Sequence, residues 1–127
     1  MDDSFRPDIP IYLQLVDIMR TKIARGEWPP GEKIPAVRDL AVTFGVNPNT
    51  MQRSLSELER EGLLYSERTA GRYTTKDTQM IAKARRTMAM DYIEVFLKKM
   101  FEMGFSKEQI KEIINKEVEN YGKSCNN

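Results

Sequence analysis

The sequence predicts a mainly α-helical chain with a small β-wing, organised around two short helices joined by a tight break. Between residues 34 and 64, apolar side chains recur every three or four positions, which is the spacing of one helical face. Gly45-Val46-Asn47-Pro48 interrupts that spacing once, and two β-prone runs follow it. These observations predict an N-terminal winged helix-turn-helix, followed by two C-terminal helices.

The elements before the motif are a short arm, one helix and a turn. Residues 1–9 form the arm and carry no pattern. The helix starts after Pro10 and ends at Gly26. Its apolar positions are Ile11, Leu15, Ile18, Met19 and Ile23. Pro29-Pro30-Gly31 then forces a turn, and residues 32–34 can form a short extended piece.

The two motif helices have well-defined ends. In the first helix, the inward-facing residues are Val37, Leu40, Ala41 and Phe44. Gly45 supplies the permissive backbone that a helix C-terminus needs. Asn47 can accept from the first N–H groups of the second helix, and Pro48 fits its first position. The second helix turns Met51, Leu55 and Leu58 inward and closes at Gly62.

The outward face of the second helix, at about residues 48–61, suggests its role. At about 100° per residue, the residues that point outward are Asn49, Arg53, Ser56 and Arg60, flanked by Thr50 and Gln52. Amides, hydroxyls and guanidinium groups read base edges and hold phosphates. The alternative is the solvated face of a core helix. The acids Glu57, Glu59 and Glu61 lie at the far end, where a docked helix leaves the groove, and this polarity favours DNA.

A β-hairpin is predicted at about residues 63–75. Two β-prone runs, LLYSER and RYTT, flank the turn Thr69-Ala70-Gly71. Arg68 and Arg72 are expected near the tip of this wing, where they could contact the DNA backbone or the minor groove. For both residues, the alternative is a solvated cation in a turn.

Residues 76–127 are predicted to form a two-helix dimerisation segment after a DNA-binding domain at residues 1–75. A long helix ends at Gly104, and its apolar positions are too many for one stripe, so we expect a second chain to cover one side. Ser106 and Gln109 form a capping box at the start of the second helix. The expected dimer interface comprises Met88, Tyr92, Ile93, Phe96, Leu97 and Met100.

Composition limits the possible functions. The net charge is only +1, so attraction to DNA must come from local placement of cations. The chain has no histidine, one cysteine (Cys125) and no glycine-rich phosphate loop, which gives no support for catalysis, a cofactor or a metal site. There is no long apolar run, so we expect no signal peptide or membrane span, and the lone cysteine fits a cytoplasmic protein.

Several motifs between residues 10 and 75 occur at fixed spacing. They are Pro10-Ile11-Tyr12 with Gln14, Gly26, Pro30-Gly31, Ile34-Pro35-Ala36-Val37-Arg38-Asp39-Leu40-Ala41, Gly45-Val46-Asn47-Pro48-Asn49-Thr50 and Leu58-Glu59-Arg60-Glu61-Gly62-Leu63. In these motifs the chain resembles the GntR family of bacterial transcriptional regulators, and within it the small YtrA-like subfamily. The resemblance implies DNA contacts by Arg38, Asn47, Asn49, Thr50 and Gln52. The wing departs from the family pattern of Arg-Gly-x-Gly followed by Thr-Phe, because residues 68–73 are Arg-Thr-Ala-Gly-Arg-Tyr.

The residues and the resemblance together predict a sequence-specific, DNA-binding transcriptional regulator. We expect a homodimeric repressor that binds a palindromic operator in double-stranded DNA. The contacts would come from the second motif helix (the recognition helix, about residues 48–61) and from the wing (about residues 63–75). A winged helix used for protein recognition is the alternative, and it would present an apolar or acidic recognition face. An enzyme is the least favoured possibility. The C-terminal helices are too short for a dedicated effector domain, and the sequence identifies no small-molecule effector.

Overall fold

The structure, a computed structural model, describes residues 5–125 and contains five helices and one two-stranded antiparallel sheet in that range. In chain order they are α1 (Ile11–Ala24), α2 (Val37–Phe44), α3 (Pro48–Arg60), β1 (Leu64–Glu67), β2 (Gly71–Thr74), α4 (Thr78–Glu102) and α5 (Lys107–Cys125). This order confirms the predicted fold class. The chain divides into two compact units, one ending at Arg86 and the other beginning at Thr87, inside α4.

The first unit has one apolar core between α1, α2, α3 and the hairpin. Its fully buried side chains include Leu15 and Met19 from α1 and Met51, Leu55 and Leu58 from α3. The predicted inward residues of α2 also join this core, with Val37 partly buried at its edge. Burial of apolar surface is the main stabilising term of such a core. It therefore fixes the inner face of α3 and leaves the opposite face to solvent.

The buried face of α1 does not coincide with the apolar positions named from the sequence. Ile11, one of those positions, is 43% exposed, whereas Val16, which was not among them, is 2% exposed. The buried residues of α1 are Leu15, Val16, Met19 and Ile23, so the middle of its buried face lies between Leu15 and Val16. At about 100° per residue, Ile11 falls at the edge of that face.

The arm before α1 is held by one glutamine. The amide nitrogen of Gln14 donates to the carbonyl oxygens of Arg6 (2.8 Å) and Ile9 (2.7 Å). Its amide oxygen accepts from the backbone N–H of Arg6 at 2.8 Å. Phe5 is thereby kept against the core. Residues 5–9 are therefore part of the folded unit, which their sequence alone did not indicate.

The hairpin pairs Leu64 with Thr74 at its base and Glu67 with Gly71 next to its loop. The predicted extended piece runs beside β2, because Lys33 forms a β-bridge with Tyr73. The N–H of Ile34 donates to the carbonyl oxygen of Arg72 at 3.0 Å. The wing is thus tied to the segment that leads into α2.

Thr74 is fully buried, and its hydroxyl oxygen has no hydrogen-bond partner. Thr74→Val replaces that hydroxyl with a methyl group and keeps the β-branched shape. Since a buried, unpaired polar group costs about 1–3 kcal/mol, we expect the free energy of unfolding to rise by about 1 kcal/mol. Urea unfolding followed by circular dichroism measures this change.

Thr75→Val is the matched control for this substitution. The hydroxyl of Thr75 accepts from the N–H of Asp77 at 3.1 Å, so its loss should lower stability. A Thr74→Val variant that is no more stable than the wild type would contradict the expectation.

The second unit is built from the later turns of α4 and from α5. Gly104 ends α4 with a positive φ of 92°. The capping box is confirmed: the N–H of Ser106 donates to Gln109 Oε1 at 2.8 Å, and the N–H of Gln109 donates to Ser106 Oγ at 3.1 Å. Met100 and Ile110 are the buried apolar residues of this unit. Many other apolar side chains in it are exposed, namely Met90, Tyr92, Ile93, Val95, Phe96, Phe101, Met103, Val118 and Tyr121.

No helix within residues 5–125 combines the length and the apolar character that crossing a membrane requires.

Candidate nucleic-acid interface

The start of α3 is exposed and capped as predicted. Asn47 has an extended backbone, and its side-chain oxygen accepts from the N–H of Asn49 at 2.7 Å. Pro48 occupies the first helical position, where no N–H is needed. Gly45, with a φ of 68°, makes the turn that separates α3 from α2. Since the cap uses only the oxygen of Asn47, its amide NH₂ group is left for an acceptor outside the helix.

The outer face of α3 carries the predicted polar side chains. Asn49, Gln52, Arg53, Ser56 and Arg60 are exposed, and Thr50 is half-buried beside them. Gln52 reaches along the helix, with its amide nitrogen 3.4 Å from Ser56 Oγ. Amide and hydroxyl groups on one exposed helical face can both donate to and accept from base edges.

Arg53 is supported by a residue that sequence reasoning did not assign to the site. Its guanidinium carbon lies 3.6 Å from the centre of the Tyr12 ring, in α1. The hydroxyl of Ser54 lies 3.1 Å from the carbonyl oxygen of Tyr12 and holds the two helices together at this point. The cation–π contact restricts the guanidinium without neutralising its charge. The only sequence signal for Tyr12 was its place in the Pro-Ile-Tyr motif.

The three acids near the end of α3 are all paired within the protein. Glu57 accepts from Arg60, Glu59 from Arg72, and Glu61 from Arg20. The Arg60 hydrogen bond is the main cause that lowers the pKa of Glu57. The Arg20–Glu61 contact is bidentate, with nitrogen–oxygen distances of 3.0 and 2.6 Å. The end of α3 is therefore closer to neutral than its sequence suggests.

Three other arginines keep their positive charge available on the surface. Arg38 is exposed in the first turn of α2, Arg53 on α3, and Arg68 in the hairpin loop. Within residues 5–125, no carboxylate lies at salt-bridge distance from any of these three. Because the net charge is only +1, attraction to DNA has to come from cations at particular places, and these three arginines provide such cations.

The two wing arginines have different surroundings. Arg68 lies in the loop between the strands, as expected, and is exposed. Arg72 is the second residue of β2, opposite Ser66 and one pair from the loop. Its side chain is 17% exposed, and its Nε donates to Glu59 Oε2 at 2.9 Å. Because side chains alternate along a strand, Arg72 is directed towards α3 instead of outward.

Among the described residues, no group of three or more histidine, cysteine or acidic side chains is arranged to hold a metal ion.

This arrangement of elements defines the protein as a winged helix-turn-helix protein. The model of the GntR family, described as bacterial regulatory proteins, matches residues 11–73. The chain is 37% identical to the uncharacterised HTH-type transcriptional regulator YhcF of Bacillus subtilis, over 88% of this chain and 93% of that one. It is 31% identical to the HTH-type transcriptional repressor YtrA of the same organism, over 86% of this chain and 85% of that one. The chain belongs to the GntR family and is a DNA-binding transcriptional regulator.

Solved structures agree with this assignment. A GntR family transcriptional regulator from Listeria monocytogenes superposes with a TM-score of 0.83 at 36% identity, covering 91% of this chain and 98% of that one. The DNA-binding domain of AraR in complex with operator ORX1 gives a TM-score of 0.52 at 28% identity, covering 59% of this chain and 92% of that one. Membership of a family of regulators confirms the prediction that the chain is not an enzyme.

Proposed function

We propose that the protein is a cytoplasmic, homodimeric repressor that binds a palindromic operator. The observation that carries this proposal is the outer face of α3, which presents exposed amides and Arg53 while the three acids at its end are paired. Docked in the major groove, that face would read base edges with its first turns. The name of YtrA as a repressor supports the sign of regulation.

The contacts divide into those that read bases and those that hold the backbone. Asn49 and Gln52 are exposed amides on the first two turns of α3, and we assign them to base edges together with Arg38. Asn47, Thr50 and Arg53 would hold phosphates around the start of the helix. Arg68 would contact the backbone or minor groove from the wing. Arg72, also predicted to contact DNA, is largely covered by its pair with Glu59.

A second copy of the chain is the proposed cover for the exposed apolar side chains of the second unit. Tyr92, Ile93 and Phe96 lie within one turn of α4 and are all exposed. Contiguous apolar surface of this kind on a monomer marks an interaction site. Two-fold pairing would bring two copies of α3 to one DNA duplex, and half-sites would then lie about one helical turn, ~34 Å, apart or a multiple of that.

Selection of the full-length protein on randomised duplex DNA tests this function. We expect enrichment of one sequence arranged as an inverted repeat, which then serves as the operator in every later measurement. Recovery of unenriched DNA, or binding equal to that of competitor DNA, would contradict the proposal.

The same selection distinguishes the residues of α3 that contact base edges from those that contact the DNA backbone. Asn49→Ala and Gln52→Ala should relax base preference at defined positions of the operator, since each removes a base-edge contact. Thr50→Ala should weaken binding across all sequences and leave the preference unchanged. Asn49→Ala and Gln52→Ala variants that retain the wild-type preference would contradict the assignment.

A further inference from the structure

Glu59 connects the recognition helix to both strands of the wing. Its Oε2 atom accepts from the hydroxyl of Ser66 in β1 and, at 2.9 Å, from Nε of Arg72 in β2. Ser66 and Arg72 are direct partners in the hairpin register. One carboxylate oxygen of α3 therefore holds the two strands at the same level.

The Glu59–Arg72 pair is more sheltered from solvent than the Glu57–Arg60 pair of the same helix, because its arginine is better covered. The side chains of Arg72 and Glu59 are 17% and 29% exposed, whereas those of Arg60 and Glu57 are 74% and 25% exposed. Partial burial reduces screening by water and salt, so the Glu59–Arg72 pair should outlast an ordinary surface pair. On the other face of the hairpin, the rings of Tyr65 and Tyr73 stack with centroids 5.6 Å apart. The stacked rings stiffen the hairpin, and Glu59 ties its strands to α3 beyond the buried base at Leu64 and Thr74.

We propose that Glu59 and Arg72 are positioning residues that set where the wing lies relative to the recognition helix. Their effect on DNA binding is exerted through Arg68, which the hairpin presents in its exposed loop four residues before Arg72. This inference rests on the proposed function. It gives Arg72 a different role from the direct DNA contact predicted from the sequence.

The direction in which Glu59→Gln changes operator affinity distinguishes this role from a simple effect of charge. Glu59→Gln removes a negative charge from the helix that approaches DNA, and it also replaces the ion pair with Arg72 by a weaker hydrogen bond to a neutral acceptor. If only charge mattered, binding would become stronger. If Glu59 positions the wing, the loss of the pair should weaken operator binding by about three- to tenfold.

Glu57→Gln is the matched control, because it removes the same charge from the same helix and breaks the exposed pair with Arg60. We expect it to leave operator affinity unchanged or slightly raised. Operator affinity is measured for the full-length protein by fluorescence anisotropy on the selected duplex, and circular dichroism checks the fold of each variant. A Glu59→Gln variant that binds as tightly as Glu57→Gln would overturn the proposal.

A second set of variants tests the route through Arg68. In an Arg68→Ala background, Glu59→Gln should cause no further loss of affinity, because the contact that it positions is already gone. Hydroxyl-radical footprinting should show that Glu59→Gln loses protection where the wing lies and keeps it where α3 lies. Additive losses, or an unchanged wing footprint, would overturn the proposal.

Charge reversal keeps the test valid if single variants are destabilised. Glu59→Arg and Arg72→Glu should each lose the wing footprint, and the double variant Glu59→Arg/Arg72→Glu should regain it, since the pair is restored with opposite polarity. A double variant no better than the singles would count against the pair. A wild-type protein that selects no operator would instead contradict the proposed function.

Discussion

Phe96→Lys should convert the proposed dimer to a monomer and lower its affinity for the full operator by roughly 100-fold. Phe96 is 40% exposed on α4, next to the exposed residues Tyr92 and Ile93. A lysine buried in the proposed interface would be an unpaired charge, which costs several kcal/mol. Once the chains separate, each half-site is bound alone and the advantage of linked binding is lost. Sedimentation velocity gives the oligomeric state, and fluorescence anisotropy gives the affinity.

Glu94→Lys provides the control for this variant. It places the same side chain two positions earlier on α4, about 200° around the helix from Phe96, at a residue that is already charged and exposed. We expect Glu94→Lys to remain a dimer with nearly wild-type affinity. A dimeric Phe96→Lys variant, or equal losses in both variants, would remove this face of α4 from the interface.

Arg38→Ala should weaken operator binding by about 1–3 kcal/mol, which is roughly 5- to 150-fold, if the guanidinium contacts a base bidentately. Arg38 is exposed at the start of α2 and makes no ion pair within residues 5–125, so the fold should not depend on it. Anisotropy titrations on the operator and on competitor DNA separate the loss of specific binding from the loss of general binding.

Arg38→Lys refines this experiment, since lysine keeps the charge but lacks the two-pronged geometry of arginine. We expect it to retain binding to competitor DNA and to lose much of the preference for the operator. Normal operator affinity in Arg38→Ala, or a loss of helicity in that variant, would show that Arg38 does not have this role.

The features that could be predicted from the sequence are those set by neighbours along the chain. The Asn47 cap and the box formed by Ser106 and Gln109 each involve residues two or three positions apart, so their sequence spacing defines the geometry. The inward stripe of α3 was equally predictable, because one helical period places Met51, Leu55 and Leu58 together.

The features that were missed depend on contacts between distant segments. Tyr12 and Arg53 are 41 positions apart, and Glu59 and Arg72 are 13 apart, so no local pattern links either pair. The orientation of Arg72 could not be predicted for the same reason: its side chain pairs with Glu59 of α3. A tertiary contact decides whether an arginine supports the fold or contacts DNA.

The predicted dimer interface illustrates a further limit. Periodicity shows that α4 has too many apolar residues for one stripe, but it does not tell which of them the chain covers by itself. Met100, predicted for the interface, is only 8% exposed within its own chain, whereas Tyr92 and Ile93 are exposed. Likewise, Ile81 of α4 joins the core of the first unit, beyond the boundary predicted at residue 75. Only the folded structure distinguishes the apolar residues that the chain buries by itself from those that it leaves exposed.

Sedimentation velocity of the full-length protein with a fluorescent operator duplex tests the central claim most directly. The selected operator and a duplex that contains one of its half-sites are compared at the same protein concentrations. We expect two chains on each full operator and a much weaker complex on the half-site, because the proposed dimer engages both halves together. One chain per full operator, or equal affinity for the two duplexes, would contradict the account.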